Sequence, residues 1–297
     1  MAFKRRAWDF GMEERPGLAW RYVAEAGPRP VISRQQQQPG VRFSPAVLLT
    51  AAIALGAIAF GEAVTEAVDP RAGIGVHAVV LTALMVQACL VRDERLFRLL
   101  VALCLAPLIR ILSLSMPLGQ ISVVYWYAII AVPLLAGALA VARTLNLSRS
   151  ELGLSIGHLR VQVVVGLAGF LFGITEYLIL RPAPLIESPS LWEALLPGLI
   201  LLVGTGLVEE LIFRGILQAA TRASLGRWNI VYVSVLFAVL HLGYHSALDV
   251  AFVFAVGLLF GVVVRWTGSL VGVTISHGIT NITLFLVAPF LVGANLL

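Results

Sequence analysis

Three short stretches in the second half of the chain set carboxylate, imidazole, guanidinium and amide groups at helical spacing. Residues 206–215 read GLVEELIFRG, residues 237–241 read FAVLH and residues 277–281 read HGITN. In the first, Glu210 and Arg214 are four residues apart and share a helix face where they can pair, while Glu209 projects about 100° away and is free to face a cavity. In the second, Phe237 lies one turn below His241, and in the third, His277 and Asn281 share a face. A carboxylate held away from bulk water, with an imidazole beside it, can take a proton from a water molecule. An amide and a second imidazole can then donate hydrogen bonds to the oxyanion that forms when this water attacks a carbonyl. Glu209, His241, His277 and Asn281 are therefore candidate catalytic residues for peptide-bond hydrolysis, with Glu210, Arg214 and Phe237 as their supports. Glu209, His241 and His277 are equally three groups of the kind that bind zinc or another divalent metal and leave one position for water. Spacing alone does not choose between a metal cofactor and none.

The elements that position these groups are membrane-spanning helices. Of 297 residues 59% are hydrophobic and 12% charged, whereas about a quarter of a soluble domain is charged. The apolar residues come in blocks of roughly 20, the length a helix needs to cross about 30 Å of hydrocarbon. Nine such blocks lie near residues 46–66, 73–91, 97–115, 121–142, 161–180, 194–220, 229–242, 248–264 and 269–292. The seventh is short for a span, so the expected fold is an all-α, polytopic transmembrane bundle of eight or nine spans, its active site inside the membrane among the C-terminal helices. Counted from the span ends near 220, 229 and 269 at 1.5 Å per residue, Glu209 is roughly 16 Å deep, His241 and Asn281 roughly 18 Å and His277 roughly 12 Å. Three helices thus bring polar groups to a similar level.

A net charge of +5 and a pI of 9.7 do not mark a nucleic-acid binder, because the basic residues sit singly in short connections rather than on one dense face. They alternate as a membrane topology does. Arg92, Arg95 and Arg98, then Arg143, Arg149 and Arg160, then Arg222 and Arg227, then Arg265 mark connections expected on the cytosolic side, and the connections between them are poor in positive charge. Cys89 and Cys104 fall inside apolar blocks and suggest no disulfide framework. Residues 1–40 are polar and lack the apolar run of a cleavable signal; seven basic residues against four acidic ones leave them at +3. They are expected to be a disordered cytosolic tail of a cell-membrane protein. The polar stretch 143–160 divides the rest into N-terminal transmembrane helices, 41–149, and a C-terminal peptidase-like region, 150–297.

Other ionisable residues have plainer readings. Glu62 and Glu66 share a face at one end of the first span and suit an interface with water. Arg110 and Glu176 lie toward the same side of their spans and suit pairing with each other or with lipid headgroups. His77 carries no signal, and His245 suits a loop. Gly166, Gly169 and Gly173 suit close helix packing. A non-catalytic membrane scaffold, or a proton-coupled transporter that uses the same buried Glu and His groups, is the alternative to an enzyme; no internal repeat supports a transporter.

Taken together the three stretches resemble the intramembrane CPBP peptidases, which include CAAX prenyl endopeptidases and bacteriocin-processing proteins. That family's pattern is Glu-Glu-x-x-x-Arg, then Phe-x-x-x-His, then His-x-x-x-Asn or Asp. Here Glu209, Glu210 and Arg214, then Phe237 and His241, then His277 and Asn281 follow it in order, with Phe213, Gly215, Thr267, Gly268 and Ser269 similar in the flanks. The resemblance covers about residues 150–292. It implies an intramembrane endopeptidase acting on membrane-associated protein or peptide substrates, with Glu209 and His241 activating water, and His277 and Asn281 holding an oxyanion or a metal. Family members have been described both as metalloproteases and as glutamate proteases, so the resemblance leaves zinc open.

Overall fold

The computed structural model describes residues 44–116 and 119–293. The tail expected over residues 1–40 lies outside them. The described residues are helical throughout, without a strand. The elements are α1 (Pro45–Ala67), α2 (Pro70–Leu90), α3 (Glu94–Leu114), α4 (Val123–Thr144), α5 (Leu159–Leu180), α6 (residues 191–225), α7 (Asn229–Val239), α8 (Ala247–Thr267) and α9 (Val271–Val292). Local chemistry marks their ends. Asp69 and Asp93 accept hydrogen bonds from Arg71 N and from Arg95 and Leu96 N, Ser190 and Ser246 do the same for Glu193 N and Asp249 N, and Gly268 closes α8 in the left-handed conformation.

Among the described residues, eight helical runs are long and apolar enough to cross a membrane. One, Leu191–Val239, has 49 residues and would extend about 74 Å if straight, more than twice the hydrocarbon thickness. It folds back at Gly226, whose φ of 55° and ψ of −126° suit a residue without a side chain. Asn229 Nδ2 locks the reversal by donating to the Gln218 carbonyl at 2.7 Å. The returning helix α7 has only 11 residues, about 16 Å, and so delivers His241 to the interior of the bundle rather than to its far end.

Polar contacts sort the connections into two ends. At one end, Ser155 and Ser269 bond Gly268 and Ser155 carbonyls, Arg98 Nη1 bonds the Leu145 carbonyl at 2.9 Å and Ser224 bonds the Arg95 carbonyl. This end gathers the arginine-rich connections. At the other, Gly243 and Tyr244 follow His241, and His245 pairs with Glu66 at 2.7 Å. One apolar core runs through both halves of the chain, from Ile58, Leu99 and Leu134 to Ile212, Leu236 and Val273. Outward faces carry bare apolar side chains, Trp192, Trp266, Leu90 and Val132 among them, as lipid rather than water requires.

Two plain readings need correction. Glu62 is fully buried and faces no water: Arg110 Nε donates to its Oε1 at 2.6 Å and His77 Nε2 lies 3.1 Å from the same oxygen. Arg110 therefore pairs with Glu62 and not with Glu176, and His77 belongs to a buried ion cluster of α1, α2 and α3. These partners are brought together by helix rotation across long stretches of sequence, which no local spacing reveals.

Candidate active site

The helices that hold the site approach one another through small residues. A side chain added at Gly169 of α5 would run into the Ser276 carbonyl of α9, and one at Gly206 of α6 would meet the Gly278 amide of α9 at 3.0 Å. The close packing expected of Gly166, Gly169 and Gly173 is thus what seats α9 between α5 and α6. Both helices depart from regular α geometry beside the reactive residues. In α6, Val208–Glu210 lies between two π-helical stretches, Leu201–Leu207 and Leu211–Leu217, and α9 turns π-helical at Thr283–Val287. Such widened turns re-aim side chains and recur at functional sites.

Glu209, His241, His277 and Asn281 all line one cavity of about 80 Å³, room for a few water molecules. Glu209 Oε2 lies 3.9 Å from His277 Nε2, and their side chains are 29% and 11% exposed. That gap is too long for a direct hydrogen bond and suits a bridging water. His277 is aimed from behind: its Nδ1 bonds Glu210 Oε1 at 2.8 Å, and Arg214 Nη1 donates to the same oxygen at 2.9 Å. Since Glu210 is an acceptor there, its partner Nδ1 carries the hydrogen and Nε2 is the nitrogen presented to Glu209. His241 follows the same logic, its Nδ1 donating to the Phe237 carbonyl at 2.8 Å and its Nε2 left over.

Arg214 is itself buried and lies 4.3 Å from the Phe237 ring centroid, with the Phe260 and Phe213 rings at 5.6 and 5.9 Å. Three aromatic faces and one carboxylate hold a guanidinium that would otherwise be costly at this depth. The Phe237 ring also touches the cavity groups, its centroid 4.7 Å from that of His241 and 6.2 Å from that of His277. Asn281 Nδ2 donates to Thr205 Oγ1 at 2.8 Å. An amide has two N–H bonds, so one remains for a ligand.

All seven candidate residues thus lie around this cavity, four lining it with Phe237 and two, Glu210 and Arg214, behind it. The contact between Glu209 and a histidine is made by His277; His241 stacks on Tyr244 at 6.1 Å. Among the lining residues that sequence reasoning did not place at the site are Thr205, Glu176, Tyr127 and Tyr244. Thr205 could have been found, since it stands four residues before Glu209. Glu176 suited pairing with Arg110 or with lipid headgroups, whereas it faces the cavity. Tyr127 and Tyr244 gave no signal. For a metal, three donors must converge on one point, and among the described residues no group of three or more His, Cys, Asp and Glu side chains is placed to hold one.

Residues 191–283 match the family model of the Rce1-like proteins, described as type II CAAX prenyl endopeptidase Rce1-like. The match takes in all three motifs and bears out the resemblance they suggested; helices α1 to α5 lie outside it. No curated protein and no solved structure matches the chain.

Proposed function

We propose that the chain is an intramembrane endopeptidase that hydrolyses membrane-associated protein or peptide substrates, CAAX-protease-like, in the cavity between α6, α7, α8 and α9. The observation that carries this reading is the convergence of Glu209, His241, His277 and Asn281 on one cavity within a segment that matches a peptidase family. Glu209 takes a proton from the water between it and His277, and the water oxygen forms a bond to the scissile carbonyl carbon. The free N–H of Asn281 donates to the oxyanion, joined by the Nε2–H of whichever histidine is protonated. Collapse of the tetrahedral intermediate breaks the C–N bond, and the proton held by Glu209 passes to the leaving nitrogen. Arg214 and Glu210 keep His277 in place throughout. The arginine-rich end faces the cytosol of a cell membrane and the N-terminus lies on that side.

This mechanism routes no step through a metal. Purified protein should cleave prenylated or unprenylated membrane peptides after exhaustive chelation, with cleavage sites identified by mass spectrometry, and Glu209→Gln should be inactive. Stoichiometric zinc that is absent from His277→Ala and required for turnover would replace the water-only mechanism with a metal-assisted one. Full activity of Glu209→Gln would remove Glu209 as the base, and absence of cleavage by the wild type would return the chain to the scaffold or transporter class.

A further inference from the structure

Two of the four buried carboxylates among the described residues have a cation beside them. Glu62 has Arg110 and His77, and Glu210 has Arg214 and His277. Glu176 of α5 departs from this pattern. It is only 8% exposed, it lines the cavity, and among the described residues it takes no hydrogen bond or ion pair. The charges of Asp249, at the start of α8, of His277 and of Glu209 all reach Glu176, though none pairs with it directly; Asp249 is itself fully buried, with neither carboxylate oxygen bonded. The cavity that Glu176 lines has aromatic side chains in its wall, Phe252 of α8, Phe285 of α9, Tyr127 of α4 and Tyr244 of the connection after α7, and the two tyrosines are near enough to feel its charge. An unmatched carboxylate in an aromatic recess at membrane depth is costly when empty, and it becomes favourable when a cation enters.

Resting on the peptidase reading above, we infer that Glu176, with Tyr127 and Tyr244, forms a subsite for a cationic side chain of the peptide being cleaved, an ammonium or guanidinium group. Glu176 is the carboxylate that receives the charge, the tyrosine faces cover it, and Asp249 adds negative field from behind. The subsite lies toward the end of the bundle where residues 181–190 and 242–246 connect their helices, so the cation enters beside the reacting carbonyl rather than between Glu209 and His277. The same charge disfavours an acidic residue, or a free peptide carboxylate, at that position.

The test uses the full-length protein in detergent and variants of a peptide it cleaves, in which each residue within about four positions of the cut is in turn lysine or its uncharged isostere norleucine. At one position the wild type should show kcat/KM about tenfold higher for lysine, a difference of about 1.4 kcal/mol, with KM carrying the change. Glu176→Gln should bring that ratio near one and Glu176→Asp should retain part of it. A lysine preference absent at every position, or surviving Glu176→Gln, overturns the subsite. A second measurement is independent of turnover. Benzylamine titrated calorimetrically into Glu209→Gln protein should bind about tenfold more tightly than benzyl alcohol, and the gap should close in the double variant with Glu176→Gln. Equal binding of amine and alcohol overturns the subsite, while amine selectivity in a protein that cleaves no peptide supports the subsite and overturns the peptidase reading.

Discussion

Two clusters in this protein use the same side chains to different ends. In the N-terminal helices, Glu62 is matched by Arg110 and His77; in the C-terminal helices, Glu210 is matched by Arg214 and His277. Both carboxylates are fully buried and both accept from an arginine and approach a histidine. The first cluster closes on itself and lines no cavity described here. The second has a further carboxylate, Glu209, one residue along the helix, and a histidine whose other nitrogen faces it across 3.9 Å beside a cavity. A buried Glu, Arg and His in a membrane helix bundle is therefore not in itself a site. Chemistry needs the extra carboxylate and the space in front of it.

The largest effects expected from breaking this comparison are in stability and are shared by both clusters. Arg110→Ala and Arg214→Ala each strand a buried carboxylate and should each cost about 3 to 5 kcal/mol, measured by unfolding in detergent. They should part in activity. Cleavage per folded molecule should survive Arg110→Ala within about twofold, and should fall roughly a hundredfold or more in Arg214→Ala, because Glu210 then loses the partner that fixes it under His277. Equal activities in the two folded variants would erase the distinction between the clusters.

Next comes the oxyanion contact. Asn281→Ala should cost about 2 to 4 kcal/mol in kcat with little change in KM, and Thr205→Val, which removes only the group that orients Asn281, about 1 kcal/mol. A KM effect larger than the kcat effect in either variant would make Asn281 a substrate-binding group instead. Smallest is a control outside both clusters. Burial would push the Glu151 carboxyl up, but the Ser148 hydroxyl and amide donate to it, with Arg98 and Arg222 nearby, and hold it below its ordinary value of 4.5. Its contribution is present above the unfolded value and is lost as pH falls through the lower folded value. Screened by solvent, this should amount to less than about 0.5 kcal/mol, and Glu151→Gln should flatten that part of the acid unfolding profile without changing activity at neutral pH.

What could be read from the chain depended on range. The spans, the pairing of Glu210 with Arg214 and the shared face of His277 and Asn281 follow from spacings of four residues or from runs of apolar residues, and the structure places them accordingly. The cavity itself required three helices to agree in depth, which counting from span ends could suggest because α6 ends, and α7 and α9 start, near a common level. Glu62 with Arg110 and His77 was out of reach, since 48 residues separate the hydrogen-bonded pair and its formation depends on how α1 and α3 rotate against each other. Glu176 was seen as an ionisable residue in a span, but its facing was set by Gly169 and Gly173 pressing α5 onto α9, a contact known only once both helices are packed. The π-helical turns around Glu209 left no mark that spacing could detect.

The seating of α9 between α5 and α6 also bears on when the protein becomes reactive. Chains are inserted and packed from their N-terminal side as they are made, and α9 follows all the other described helices in the sequence. Until it arrives, Glu209 has neither His277 nor Asn281, and the glycines of α5 and α6 face a gap rather than a partner. A nascent chain still at the insertion machinery, surrounded by other unfolded membrane segments, therefore carries an incomplete set of reactive groups. On the peptidase reading proposed above, order of synthesis would give the chain the protection that a removable pro-segment gives a secreted hydrolase.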